Sequence, residues 1–253
     1  MFKHKKTHDE VKLQASAQLM TWHWYSQDQV LAAAMFSRKC GEMEANRATP
    51  TDDEKRRGLT WAEAEQTEHR SYVVASVLAS VAFLEASLNE LFASAPHENL
   101  EVGGGRGALS AGERRSLTDL TGMLDRNDFL DKFQLVLHLL GKQPFDRGAQ
   151  PYQDAQLLVQ LRNVLVHYKP RWRPGGDDSG QSIQASGLTK GLADRKFSLN
   201  PFTGQGNPFF PDKCLGHGCT TWALTAALDF ADGFFARLGV TPVYQGVRGR
   251  LAP

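Results

Sequence analysis

Residues 60–95 carry the longest uninterrupted helical pattern in the chain, and a helix of that length dictates what the rest must supply. Val74, Val77, Leu78, Val81, Leu84, Leu88 and Leu91 recur at three- and four-residue spacing and form one stripe. An isolated helix draws little stability from such a stripe until other helices cover it, so a bundle is expected. Thr60, with Glu63 three residues later, makes a capping box at its start, and Pro96 ends it. Glu85 falls within the stripe, four residues after Val81 and three before Leu88. A carboxylate on a buried face needs a partner or a shifted pKa. Asn89 and Glu90, one turn on, fall at surface or cleft positions.

Other segments supply the cover. Residues 10–37 read as helix through Val11, Leu13, Ala17, Met20, Trp24, Val30, Ala33 and Met35. Ser110 and Glu113 repeat the capping-box spacing. Phe129, Leu130, Phe133, Val136, Leu137 and Leu140 form a strongly apolar run that Gly141 suits as a C-cap, and His138 beside it reads as an ordinary core or surface residue. Leu157, Leu158, Leu161, Val164, Leu165 and Tyr168 share one face of a further helix. The last helix is expected at 222–238, capped by Thr220 or Thr221 and ended by Gly239, with Trp222, Ala223, Ala226, Ala227, Phe230, Phe234 and Leu238 inward.

Between these segments the composition changes. Residues 46–59 are polar, hold Pro50 and Gly58, and read as a linker. Residues 97–109 are glycine-rich but lack the Gly-Lys-Ser/Thr of a phosphate loop. Residues 171–219 are rich in Gly, Pro, Asp and Ser and show no helical period, with weak strand candidates at 181–184 and 195–199. The expected architecture is all-α: a helical bundle of about five or six helices with one long irregular loop before the last helix. Its parts are an N-terminal tail, helix and linker packing on the body (1–57), a helical domain (58–240, with 171–219 as a loop insertion) and a C-terminal tail (241–253).

Composition removes several function classes. The chain has 253 residues, 41% of them hydrophobic, and a formal charge of +1, so no global basic field points at nucleic acid. Any basic surface is local. Three cysteines do not make a disulfide framework. Cys214, His217 and Cys219, with Cys40 as a conceivable fourth ligand, are close enough for a soft metal, yet the paired knuckles of structural zinc are absent, so no metal or other cofactor is expected. Met1-Phe2-Lys3-His4-Lys5-Lys6 leads into polar sequence rather than a signal core, and no run of about eighteen apolar residues occurs. A cytoplasmic setting without membrane contact is the expectation. Trp22, His23, Trp24 and Tyr25 crowd one turn and read as a packing surface or a base-stacking patch.

Chemistry concentrates in Leu161-Arg162-Asn163-Val164-Leu165-Val166-His167-Tyr168-Lys169-Pro170, the one apolar helical pattern that carries Arg, Asn and His in close succession. Asn163 and His167 are i,i+4 neighbours. Arg162 lies roughly 140° from His167 on an ideal helix, so the two flank a groove, or meet in one when two copies pair. Pro170 biases Lys169 out of the helical region, so the helix is expected to end near His167. A near-neutral His moves protons, a guanidinium holds phosphate, and Asn orients either. That set suffices for metal-free RNA cleavage by the 2′-hydroxyl. Tyr168, Lys169, Arg171, Trp172 and Arg173 add phosphate-binding and base-stacking groups. Glu85 is either the salt-bridge partner of a core Arg or a group that orients Arg162 or His167.

Arg162-Asn163-Val164-Leu165-Val166-His167 resembles the motif of HEPN domains: Arg, a polar residue, a short spacer, then His. The long helix with Phe83-Leu84-Glu85-Ala86-Ser87-Leu88-Asn89-Glu90 and the closing Ala-rich helix are similar to those of stand-alone bacterial HEPN-like proteins, and the resemblance covers roughly residues 60–240. It implies an all-α, metal-independent endoribonuclease of toxin–antitoxin or antiphage-defence type, with two motifs of a homodimer facing one cleft. Arg162 then binds the scissile phosphate, His167 acts as acid or base, and Asn163 supports them. RNA, and an antitoxin or defence-system protein, are the implied partners. Tyr168 follows the His directly, whereas some toxin members have a Tyr two residues after it. HEPN-like modules that only bind a nucleotide, RNA or protein are the alternative.

Overall fold

The computed structural model describes residues 22–46, 63–97, 109–120, 128–169, 187–203 and 206–252. Helices there are α1 (Tyr25–Asn46), α2 (Glu63–Ser94), α3 (Ala111–Leu120), α4 (Phe129–Leu139), α5 (Tyr152–Val166), α6 (Gly187–Asp194) and α7 (His217–Leu238). An irregular turn at Phe209–Lys213 and a 3-10 segment at Val243–Arg250 complete the set, and no strand occurs among the described residues. The fold is an all-α bundle, with the irregular region before the last helix.

α2 is the central member. α1 lies along it, α7 packs on both, and α5 packs on α7 and α2. Small side chains let α1 and α2 approach closely: Ala33 and Ala34 on α1 and Ser76 and Ser80 on α2 are buried, and Ser76 Oγ donates to the Ala33 carbonyl at 2.9 Å. Ser80 and Ser87 return their hydroxyls to carbonyls one turn back, so α2 buries them without orphaned donors. The other end of the core is aromatic. Phe133 meets Phe230 and Phe234 edge-on at 5.0 and 4.8 Å, and Phe145 stacks on Phe230 at 4.7 Å.

Several local expectations hold. Ser110 and Glu113 form the reciprocal box, with Ser110 N–H to Glu113 Oε2 at 2.8 Å and Glu113 N–H to Ser110 Oγ at 3.2 Å. Gly141 and Gly239 take φ of +64° and +70° just past α4 and α7, where a side chain would be strained. Thr60, the strand candidate at 181–184 and most of the 97–109 loop lie outside the described residues.

Others are corrected. α1 begins at Tyr25 and runs to Asn46, beyond the expected end at 37 and up to the start of the supposed linker; residues 10–21 of the expected helix and 47–59 of the linker lie outside the described residues. Its buried stripe continues through Ser37 and Cys40, which an apolar pattern does not register. Trp22, His23 and Trp24 precede the helix instead of crowding one of its turns. Region 171–219 is not wholly irregular, since α6 and the turn Phe209–Lys213 fall within it. Residues 195–199 form no strand; Lys196 sits at φ +53° and breaks any extended run. The expected C-terminal tail carries Tyr244, which is fully buried against Phe83 at 4.8 Å and donates to Asp232 at 2.8 Å, with Arg248 gripping the same carboxylate. α2 is, by length and composition, apolar enough to cross a membrane, contrary to the expectation that no such segment exists; more than half of its most apolar window is covered by the other helices.

Candidate functional site

α5 reaches its C-terminus with Leu157, Leu158 and Leu161 buried and Val164 and Leu165 half-buried. Its polar residues therefore turn outward. His167 closes the helix at φ −112°, ψ 40°, and its backbone N–H reaches the Asn163 carbonyl at 2.9 Å. The side chains of Asn163, His167 and Lys169 are exposed. Tyr168 is 44% exposed and does not join the apolar face, because the helix has ended before it. Among the described residues, no side chain forms a hydrogen bond or ion pair with Asn163, His167 or Tyr168.

Arg162 turns toward α2, where its Nη2 stands 3.6 Å from Glu85 Oε1. The two side chains are 25% and 50% exposed, so the pair is open to water and not sealed in the core. Glu85 is exposed, against the expectation that it lies on the buried stripe. The buried face of α2 is set by Ser76, Ser80, Phe83, Ser87 and Ser94 as much as by its aliphatic residues. Glu85, nine residues after Ser76, falls roughly 180° away from it. The structure thus brings Arg162 to Glu85 and leaves Asn163 and His167 facing solvent at the helix end. Arg171, Trp172 and Arg173 lie outside the described residues.

A second polar cluster, of which the sequence pointed only to Cys40 and His217, lies at the junction of α1, α2 and α7. Glu44 Oε1 meets His69 Nε2 at 2.8 Å and accepts the His217 backbone N–H at 2.7 Å. Cys40 Sγ is 3.3 Å from His69 Nε2 and 3.5 Å from Glu44 Oε1. Burial, reinforced by the Glu44 charge, pushes the Cys40 thiol well above the usual range, and burial pushes Cys219 up to about 12. Glycines make this junction possible. A Cβ on Gly41 would stand 2.9 Å from the His217 ring, and one on Gly216 would stand 2.8 Å from Glu44 Oε1. This contact also explains why α7 starts at His217 and not at 222: Glu44, distant in sequence, takes an N–H of its first turn. Thr220, an expected cap, instead sits buried against Ser37 at 2.8 Å. The available signals were the i,i+4 spacing of Cys40 and Glu44 and the position of His69 one turn before Val73.

Glu90, expected at a surface or cleft position, is half-buried at the start of α1. It accepts Ser26 N–H at 2.7 Å and Ser26 Oγ–H at 2.5 Å, beside a small cavity lined by Trp24, Ser87, Leu91, Phe235 and Tyr244. Burial raises its pKa despite those donors.

In comparisons with known proteins, the chain matches no family model, no curated protein and no solved structure.

Proposed function

We propose that the end of α5 is the reactive centre of a metal-independent endoribonuclease of HEPN-like type. One observation carries this reading: among the described residues His167 and Asn163 stand in solvent without a fold-stabilising side-chain partner, on the same helix end as a guanidinium that meets Glu85 in an open ion pair. An exposed pair of this kind contributes about 0–1 kcal/mol, whereas a phosphate takes a guanidinium bidentately. RNA phosphate can therefore displace Glu85 from Arg162 at little cost.

In the proposed reaction the ribose 2′-oxygen attacks the adjacent phosphorus, the P–O5′ bond breaks, and the products end in a 2′,3′-cyclic phosphate and a 5′-hydroxyl. His167 takes the 2′ proton or returns one to O5′. Arg162 stabilises charge on the non-bridging oxygens, and Asn163 orients the His or the phosphate. Lys169 lies near for a further phosphate, and Tyr168 offers a stacking face. Arg171, Trp172 and Arg173 extend that surface in sequence. Arg162 leans toward α2 and His167 does not, so a homodimer that pairs two α5 ends supplies what one chain leaves apart. An antitoxin or defence-system protein is the proposed regulating partner.

The test is cleavage of total RNA, with EDTA added at mixing, by the full chain and by His167→Ala and Arg162→Ala. Fragments ending in cyclic phosphate, lost in both variants while both stay folded, support the reading. Cleavage untouched by either substitution would sink it. The Arg162–Glu85 pair itself favours a second reading, a non-catalytic helical binding module. RNA retention without cleavage by any of the three forms would select it.

A further inference from the structure

We infer that Cys40, Glu44 and His69 form a three-ligand binding site for a divalent ion of the zinc class that ties α1 and α2 together. This goes beyond the cleavage reading, whose chemistry makes no use of the ion.

Geometry comes first. One ligand atom each from Cys40, Glu44 and His69 falls within 4.8 Å of the others. The edges are 3.3 Å (Sγ to Nε2), 3.5 Å (Sγ to Oε1) and 2.8 Å (Nε2 to Oε1). Around tetrahedral zinc, with Zn–S about 2.3 Å and Zn–N or Zn–O about 2.0 Å, ligand atoms stand about 3.3–3.6 Å apart. Two edges already fit, and the third needs to open by about half an ångström. Cys40 and Glu44 are one turn apart on α1, so a single helix face presents both, while His69 comes from the facing α2.

The first turn of α7 is held against this group, because Glu44 also accepts the His217 backbone N–H at 2.7 Å. His217 does not join the grouped ligand atoms; its Nδ1 stands 3.0 Å from the Ser37 carbonyl. Of the Cys214, His217, Cys219 and Cys40 grouping raised by the sequence, Cys40 alone falls among the ligand atoms brought together in the described residues.

The chemistry agrees with the geometry. Cys40 is 0% exposed, His69 is 4% exposed, and the Glu44 side chain is 14% exposed. Three protein ligands leave the fourth position of a tetrahedral ion to a water. One sulfur and one imidazole select zinc-like ions over magnesium or calcium. Binding releases the Cys40 thiol proton, and the thiolate and carboxylate together balance the charge of the dication.

Metal content of the purified full chain is the direct test, with cobalt exchanged for zinc as the spectroscopic probe. About one zinc per chain is expected. The cobalt form should show thiolate-to-metal charge transfer in the near ultraviolet and the intense visible bands of tetrahedral cobalt. Cys40→Ser and His69→Ala should each weaken binding at least about tenfold. Cys214→Ser, at a buried cysteine outside the site, should keep the full equivalent. A folded, reduced wild-type chain that takes up neither ion would overturn the inference, without need of any variant. So would equal uptake by Cys40→Ser, or octahedral cobalt spectra. None of these readouts depends on RNA cleavage.

Discussion

Glu44 and Glu85 are both carboxylates on long helices, and their surroundings differ in kind. Glu44, at the junction of α1, α2 and α7, shares one oxygen between the His69 ring and the His217 backbone N–H. Glu85, beside the end of α5, meets one guanidinium at 3.6 Å in open water. At the junction each polar group answers a need created by burial, because an unpaired buried donor or charge costs far more than its bond returns. At the end of α5, the fold gains little from Asn163 and His167, which face solvent. Polar groups that folding does not require are the ones left available for chemistry.

Substitution at the two places should separate them sharply. Glu44→Ala strips the His69 ring and an N–H of the first turn of α7 of their common partner. Breaking a buried pair in this way costs about 3–5 kcal/mol. Urea unfolding should show the midpoint collapse; a loss no larger than for an exposed residue would erase the contrast. Next in size is Gly218→Ala. Its Cβ would fall 2.2 Å from the Ser198 backbone carbonyl, which cannot swing aside like a flexible side chain. Overpacking of this order costs about 1–3 kcal/mol. An unchanged midpoint would mean that the loop before α7 yields freely.

At the end of α5 the signs reverse between stability and activity. Arg162→Ala and His167→Ala should each alter unfolding free energy by no more than about 1 kcal/mol, since they remove an open ion pair and an exposed ring. Cleavage should fall by about 10²–10⁴ on loss of the proton-transfer group. Glu85→Ala should raise cleavage, by about tenfold at most, because it frees Arg162 from a pair worth about 1 kcal/mol that the phosphate otherwise displaces. A stability loss near that of Glu44→Ala at any of these three positions would place the α5 end with the architectural cluster.

How far the sequence carried this picture depends on the range of the forces involved. Local signals were readable. The Ser110–Glu113 box, the glycines past α4 and α7 and the end of α5 at His167 are each decided within a few residues. The central stripe of α2 was readable too, but not its centre. Buried serines at 76, 80 and 87 look polar in sequence and are satisfied by carbonyls one turn back or across α1, which moved Glu85 from the apparent core to the surface. The junction was opaque because its members are far apart in the chain. Glu44 reaches His217 across 173 residues, and glycines at 41, 216 and 218 permit that approach without leaving an apolar trace. Tyr244 illustrates the same limit: a tyrosine in a basic, proline-containing tail becomes core only once Phe83 and Asp232 are placed beside it.

The smallest expected effect sharpens the comparison on a single helix. Glu90 lies five residues beyond Glu85 on α2, yet it is half-buried and holds the Ser26 N–H and hydroxyl, while Glu85 is exposed. Burial raises the pKa of Glu90, with the Ser26 donors pulling the other way. Just above the ordinary carboxylate range the folded chain therefore binds more protons at this site than the unfolded chain. Stability from this group is fully present below the unfolded value and is lost as pH rises through the folded one. Glu90→Gln keeps an acceptor for Ser26 N–H and removes the titration. Its unfolding midpoint should decline less than wild type between about pH 4 and pH 7. Glu85→Gln should leave the wild-type slope in place. Equal slopes in wild type and Glu90→Gln would mean that the Ser26 donors offset burial in full.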